Sequence, residues 1–233
     1  MQKREVNPES LLTQNVHIPS GEVTLEGELQ VPAEAKGIVL FAHGSGSSRF
    51  SPRNQYVARV IREAGIGTLL FDLLTREEEA IDMRTRHLRF DIGLLARRLV
   101  DASNWVAEKS ETRHLRAGYF GSSTGGGAAL VAASEIGDEI GAVVSRGGRP
   151  DLAGEALTRV ASPTLLIVGG LDQVVIQLNE EAYHKLRCKK ELKIVPGATH
   201  LFEEPGKLEE VARLAAEWFR HYLHPQSAID QPK

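Results

Sequence analysis

The sequence predicts an α/β fold in which a mostly parallel, doubly wound sheet is covered by helices on both faces. Short continuous apolar runs alternate along the chain with longer segments whose apolar residues recur every three or four positions. Strands buried on both faces of a parallel sheet have no polar side, so they read as continuous apolar runs. The 233 residues are enough for one large core, and a single domain over 1–233 is expected.

Six continuous apolar runs are predicted as the parallel strands. They lie at 37–42, 67–72, 115–120, 141–145, 164–169 and 192–195. The segment VTLEGELQV at 23–31 alternates apolar and polar side chains, which predicts a half-exposed antiparallel strand at the N-terminal edge. The folded core is expected over about 20–224, and residues 225–233 are expected to form a flexible tail.

Helical periodicity marks the segments between these runs. The first predicted helix carries an apolar stripe over 56–64 and ends at Gly65, and a second stripe runs over 88–106. The last helix carries the aromatic sequence WFRHYL, which is explained mostly by core packing but leaves a homodimer possible. The only cysteine, Cys188, falls in a predicted helix.

Composition excludes several classes of function. A net charge of −3 argues against an extended surface for nucleic acid, and no apolar run approaches the roughly 20 residues of a membrane span. The polar N-terminal sequence lacks the apolar core of a secretory signal, so a cytoplasmic protein is expected. With Cys188 alone, the chain can form no intrachain disulfide, no paired-cysteine metal site and no two-cysteine redox motif.

A serine between two glycines follows the run at 115–120. The sequence Gly121-Ser122-Ser123-Thr124-Gly125 fits the pattern G-x-S-x-G, in which a nucleophilic serine occupies a strained turn between a strand and a helix. Such a turn leaves little room, so the positions two before and two after the serine must be small. Small residues at a tight turn can also serve packing alone. The position after a buried strand nevertheless favours Ser123 as a nucleophile.

Two further residues complete a catalytic order. A serine hydroxyl needs a base to remove its proton, and the base needs a group that orients it. Asp172 comes three residues after the run at 164–169, and His200 follows the run at 192–195. Taken singly, Asp172 could cap a helix that starts near Val175, and His200 could pack near the last helix. The order Ser, Asp, His at successive strand ends instead favours a catalytic triad.

The loop after the strand at 37–42 is the candidate second half of an oxyanion hole. Thr124 would supply one backbone N–H, and Ser45 or Gly46 in HGSGSS would supply the other. His43 is expected to fix this loop by hydrogen bonds. The loop lacks the glycine and lysine pattern of a nucleotide-binding loop. The predicted substrate contacts are Gly44, Gly46, Ser122 and Arg146.

The motifs HGSGSS at 43–48, GSSTG at 121–125, GGLDQVV at 169–175 and GATH at 197–200 together resemble an α/β-hydrolase of the dienelactone-hydrolase-like group. Dienelactone hydrolases proper use a cysteine nucleophile, whereas this sequence has Ser123. The resemblance therefore implies a serine carboxylesterase that forms an acyl-enzyme on small esters without metal or cofactor. A lactone hydrolase, an acyltransferase or perhydrolase, and a non-catalytic binding protein of the same fold remain alternatives.

Spacing and charge give the remaining expectations about the pocket. Only about 18 residues, from Arg146 to Pro163, separate the run at 141–145 from the run at 164–169, which precedes Asp172. No large cap domain is therefore expected between them. The segment 75–90 is either a rim of the pocket or a solvated helix with paired charges. Arg146 and Arg149 could hold a substrate carboxylate, or they could pair with acidic residues of their own loop, and Arg49 and Arg53 raise the same question.

Overall fold

The computed structural model describes residues 11–224, whose eight strands form one mixed sheet. The strands are β1 (Leu11–Ser20), β2 (Val23–Pro32), β3 (Gly37–Ala42), β4 (Gly67–Phe71), β5 (Arg116–Ser122), β6 (Ile140–Arg146), β7 (Thr164–Gly169) and β8 (Lys190–Val195). They are ordered β1-β2-β4-β3-β5-β6-β7-β8 across the sheet. β2 runs antiparallel to both of its neighbours, and the other six strands, from β3 to β8 along the chain, are parallel to one another. The predicted fold class is confirmed.

The N-terminal edge differs from the prediction. The strand at 23–31 is not the edge, because β1 pairs with it along ten residues through a turn in which Gly21 has φ +58°. The folded part therefore begins before residue 20. Only Val16, Ile18 and Ser20 of β1 are buried, so its alternation spans too few positions to stand out among polar neighbours.

The opposite edge also differs. The run at 192–195 is predicted to be buried on both faces, but among the described strands β8 pairs with β7 alone. Val195 is buried, whereas Ile194 is exposed. A short apolar run is therefore an insufficient sign of a central strand, because its length cannot reveal how many neighbours the strand has.

Residues 11–224 contain six α-helices, five of which cover the two faces of the sheet. They are α1 (Pro52–Glu63), α2 (Arg76–Thr85), α3 (Ile92–Glu108), α4 (Thr124–Ile136), α5 (Gln173–Lys185) and α6 (Lys207–Leu223). α1 and α6 pack on one face, and the other carries α3, α4 and α5. Trp218 and Phe219 of α6 are buried in the core, so these two side chains form no exposed surface for a second copy.

The connections on the functional side of the sheet are short. Between β6 and β7 the chain makes only 3-10 turns over Pro150–Arg159, and the described residues include no cap domain. Cys188 is not helical, because α5 ends at Lys185 and the chain turns through extended Leu186 to enter β8. Within residues 11–224, no helix is long and apolar enough to span a bilayer.

The segment 75–90 forms α2 and a 3-10 turn rather than a helix whose charges all pair in solvent. Thr75 caps α2 through a reciprocal capping box with Glu78. Asp82 is buried, accepts hydrogen bonds from the Leu88 and Arg89 amides, and pairs with the Arg89 side chain. These contacts fold the turn back onto the helix and fix its position beside the loop after β3.

Candidate active site

Ser123 lies in a strained turn between β5 and α4. Its φ and ψ are 50° and −123°, a conformation that residues with a side chain rarely adopt. The two flanking glycines have no space for a side chain. A Cβ on Gly121 would lie 2.5 Å from the Gly125 carbonyl oxygen, and one on Gly125 would lie 2.1 Å from the Ala42 carbonyl oxygen. The G-x-S-x-G spacing is therefore a steric requirement of this turn.

Asp172 and His200 meet although they follow different strands. Nδ1 of His200 donates to the Asp172 carboxylate at 2.6 Å, and the two residues are 28 positions apart. Asp172 occupies the position before α5, but its side chain makes no capping hydrogen bond. The carboxylate is therefore directed to the imidazole and not to the helix end. The loops themselves are joined by a hydrogen bond from the Leu171 amide to the Ala198 carbonyl at 2.9 Å.

Ser123 and His200 line one cavity of about 210 Å³ at the carboxyl edge of the parallel strands. Its other lining residues are Gly44, Ser45, Ser47, Ser51, Arg53, Ser122, Arg146 and Leu201. With Nδ1 of His200 bonded to Asp172, Nε2 is the nitrogen left for chemistry. The structure thus brings the three predicted residues to one edge of the sheet, with the predicted contacts Gly44, Ser122 and Arg146 beside them.

The two predicted oxyanion donors are in different situations. The Thr124 amide belongs to the first turn of α4, where backbone N–H groups have no acceptor within the helix. The Ser45 amide instead donates to the Thr124 hydroxyl at 3.0 Å, and the two hydroxyls are also 3.0 Å apart. Ser45 is therefore engaged in this conformation. Gly46 lines only the neighbouring cavity and not the one that contains Ser123.

His43 has the structural role that the sequence predicted. It is buried, its Nδ1 donates to the Gly44 carbonyl at 3.0 Å, and its Nε2 accepts from the Leu73 amide at 3.0 Å. Burial lowers the pKa of His43, which keeps the ring neutral as these contacts require. The ring thereby joins the loops after β3 and β4. A Cβ on the next residue, Gly44, would lie 3.1 Å from Cβ of Ser123, so this loop lies directly against the nucleophile turn.

Three of the four arginines considered near the site have carboxylate partners. Arg149 makes a two-pronged pair with Asp151, which is one of the predicted alternatives. Arg49 pairs with Asp72 and Glu26, and Arg53 pairs with Glu203. Arg146 differs, because its guanidinium is buried and its only hydrogen bond among the described residues is a long one, 3.4 Å, to the Asn54 amide oxygen.

A second cavity, of about 270 Å³, lies under α2. Leu73, Leu74, Met83 and Leu95 give it an apolar wall. It adjoins the Ser123 cavity, and the residues that line both cavities are Gly44, Ser45 and Ser47. The segment 75–90 thus forms part of a pocket rim as well as a charged helix.

Three residues at the site carry no role predicted from the sequence: Ser47, Ser51 and Phe202. Ser51 lines the Ser123 cavity and caps α1, and the sequence Ser-Pro before a helical stripe signals such a helix start. Phe202 is buried with φ +58°, a strained conformation for an aromatic residue, and its ring lies 5.9 Å from the Arg146 guanidinium carbon. No local pattern in the sequence announces this contact.

The model for the dienelactone hydrolase family matches residues 25–223. The chain belongs to the dienelactone hydrolase family. A crystal structure of a dienelactone hydrolase from Anabaena variabilis is 62% identical, covers 92% of this chain and 100% of that chain, and superposes with a TM-score of 0.91. An esterase of Pyrococcus furiosus is 19% identical, with 93% and 96% of the two chains covered and a TM-score of 0.73, a likeness of fold alone.

Two curated Mycobacterium tuberculosis proteins are also similar to the chain. Each is provisionally named a phosphoribosyl transferase and is 57% identical over 213 residues. The match covers 91% of this chain but 47% of each relative, so the chain spans about half the length of these relatives.

Proposed function

We propose that this member of the family is a serine hydrolase that cleaves small carboxylic esters through an acyl-enzyme. The observation that carries the proposal is the 2.6 Å hydrogen bond from His200 to Asp172 at the cavity that His200 shares with Ser123. A neutral imidazole held in this way has a defined tautomer, with Nε2 free to accept a proton.

The proposed reaction proceeds in two halves. The Ser123 hydroxyl gives its proton to Nε2 of His200 as its oxygen attacks the ester carbonyl carbon, and the carbonyl electrons move to the oxygen. Collapse of this tetrahedral species breaks the bond to the alcohol, which leaves with the proton from His200. Water then gives a proton to Nε2 of His200 and attacks the acyl-Ser123 carbonyl. A second collapse breaks the bond to the Ser123 oxygen, which takes the proton back from His200, and releases the acid.

The oxyanion would be held by the amide of Thr124 and by one amide of the loop after β3. The N-terminal end of α4 adds a partial positive charge at the same place. For Ser45 to take part, its N–H must turn from the Thr124 hydroxyl to the substrate oxygen. Developing negative charge is the stronger acceptor, so the exchange is favourable when the tetrahedral species forms.

The short connection between β6 and β7 supports a small substrate. A cavity of about 210 Å³ without a cap gives little apolar surface on which a long acyl chain could be buried.

Hydrolysis of p-nitrophenyl acetate and butyrate by the purified protein tests this proposal. We expect the wild type to hydrolyse both esters, with Ser123→Ala slower by several orders of magnitude, because triad residues act as a unit. Ser134→Ala is the matched control, since the Ser134 hydroxyl on α4 bonds only the Val131 carbonyl. Equal rates for wild type and Ser123→Ala would remove Ser123 from the mechanism.

Membership of the family favours a lactone as the second candidate substrate, because the same attack opens a cyclic ester. Transfer of the acyl group to an alcohol or to peroxide would use the same acyl-enzyme. Product analysis with a lactone, a competing alcohol or peroxide separates these reactions. A non-catalytic binding protein would leave all of these substrates unchanged.

The two mycobacterial relatives are named as transferases and not as hydrolases. For the mycobacterial relatives, we propose that transferase activity belongs to the part outside the match, because the match covers 47% of each relative and this chain matches the dienelactone hydrolase family over residues 25–223. Assay of this chain with a phosphoribosyl donor and acceptor is expected to give no transfer.

A further inference from the structure

Arg146 is a buried cation without a carboxylate partner at the wall of the Ser123 cavity. Its exposed fraction is 6%, and its Nε and Nη1 atoms have no hydrogen-bond partner among the described residues. A buried charge left unpaired destabilises a protein, so native proteins rarely keep one without a use for it. Burial and the like charge of Arg53 lower the pKa of Arg146 to about 10, which still leaves it a cation at neutral pH.

Arg53 brings a second positive charge to the same cavity. Its Nη1 pairs with Glu203, a largely exposed side chain, while its buried Nε has no partner in the described part of the chain. Three buried guanidinium nitrogens, on two cations, therefore lack an acceptor at one place. The centre of the Phe202 ring lies 5.9 Å from the guanidinium carbon of Arg146, and an aromatic ring cannot neutralise this charge as a carboxylate would.

Hydroxyl groups add further donors around these cations. Ser47 and Ser51 line the cavity, and the Ser51 hydroxyl accepts from the Asn54 amide at 3.4 Å, which leaves its own proton free to donate. Ser51 is also the N-cap of α1, a helix of 12 residues whose positive N-terminal end therefore lies at the same region. These donors come from the loop after β3, from α1 and from β6.

We propose that this cavity binds a phosphate group on the substrate, held by Arg146 and Arg53 next to Ser123. A phosphate ester carries close to two negative charges and has three free oxygens, which matches two cationic side chains and the hydroxyls of Ser47 and Ser51 around one cavity. A carboxylate offers one charge and two oxygens and would leave part of this donor set unsatisfied. The substrate class is thus a small ester with a phosphate close to the scissile carbonyl.

The position of Arg146 in the sheet explains why the phosphate would lie close to the scissile carbonyl. Arg146 pairs with Ser122 across β5 and β6, and its carbonyl accepts a hydrogen bond from the Ser123 amide at 3.4 Å. The anion site and the nucleophile are therefore neighbours in the same sheet. A role in this reaction rests on the proposed hydrolysis at Ser123, whereas binding of the anion does not.

Calorimetric titration of the Ser123→Ala protein with inorganic phosphate tests the site without any chemistry. We expect saturable binding of phosphate, with acetate bound at least about tenfold more weakly because it carries a single charge. Arg146→Gln should weaken phosphate binding by at least about tenfold, and Arg146→Lys should restore part of it. Arg149→Gln is the matched control, since Arg149 pairs with Asp151 and does not line the cavity.

Arg53→Gln covers the case in which Arg146 variants fail to fold, because Arg53 is partly exposed and its loss should weaken phosphate binding severalfold. Several results would overturn the phosphate site: no saturable binding to the Ser123→Ala protein, acetate bound as tightly as phosphate, or equal phosphate affinity in folded Arg146 or Arg53 variants. Ester hydrolysis by the wild type without phosphate binding overturns this inference alone. Phosphate binding without hydrolysis overturns the proposed function alone.

Discussion

The Asp172 carboxylate accepts a hydrogen bond from Nδ1 of His200 at 2.6 Å, and the two residues lie on separate loops at the same edge of the sheet. Both loops follow strands at the far side of the sheet, where β7 and β8 are neighbours. Parallel pairing of these strands places their carboxyl ends together, so the contact follows from the sheet topology. The imidazole is consequently oriented before any substrate binds.

Replacing Asp172 tests this orientation. Asp172→Asn keeps the size of the side chain but removes the charge and allows the wrong tautomer of His200. We expect kcat for p-nitrophenyl acetate to fall by about 10³ to 10⁴, with little change in KM. Asp138→Asn, on an exposed turn after α4, is the control and should retain the wild-type kcat. A kcat within severalfold of the wild-type value in Asp172→Asn would show that the contact is only structural.

Gly125 is expected to be intolerant of any side chain. A Cβ there would lie 2.1 Å from the Ala42 carbonyl oxygen, so Gly125→Ala must displace β3 or the nucleophile turn. We expect a loss of at least about 3 kcal/mol in the free energy of unfolding, measured by urea titration. Gly93→Ala, on the exposed first turn of α3, has room for its methyl group and should leave stability equal or slightly higher. Similar stabilities for the two variants would contradict the steric account.

His43 predicts a dependence of stability on pH. Burial lowers its pKa in the folded protein below the ordinary value of 6.5, so below about pH 6.5 the unfolded chain binds the additional proton. The free energy of unfolding should therefore fall as the pH is lowered through this range. We expect a flatter profile for His43→Gln, the difference in slope approaching about 1.4 kcal/mol per pH unit. Parallel profiles from urea titrations at several pH values would mean that His43 does not titrate on unfolding.

The succession of strands along the chain could be predicted from the sequence, but the strands at the edges of the sheet could not. β3 and β7 begin and end where their apolar runs do, because buried strands have no polar face to interrupt the run. β1 was missed since only its second half is buried, and β8 was taken for a central strand. Edges depend on which strands become neighbours, and this is a tertiary property.

Some features of the candidate site could likewise be predicted from the sequence, and others could not. Ser123, Asp172 and His200 could be selected as candidates from their positions after strands, because a parallel sheet gathers those positions at one edge. The contact between the Ser45 amide and the Thr124 hydroxyl could not, since it joins residues 79 positions apart through one side-chain rotamer. The lack of a carboxylate partner for Arg146 could not be predicted either, because it depends on where every nearby acidic side chain lies in the folded chain.

Removal of metal ions is expected to have no effect on the rate. The proposed steps use only side chains and backbone amides, and the described residues contain no group of three His, Cys, Asp or Glu side chains arranged to hold a metal. We expect the same initial rate of p-nitrophenyl acetate hydrolysis before and after dialysis against EDTA. A loss of rate that added divalent metal restores would require a different mechanism.

Covalent labelling by a fluorophosphonate tests the central claim most directly, because only an activated serine reacts readily with this probe. Mass spectrometry of the labelled wild type should locate the adduct on Ser123, and His200→Gln should be labelled at least about a hundredfold more slowly. Ser134→Ala should be labelled at the wild-type rate. An adduct on a different residue, or equal labelling rates in wild type and His200→Gln, would contradict the account.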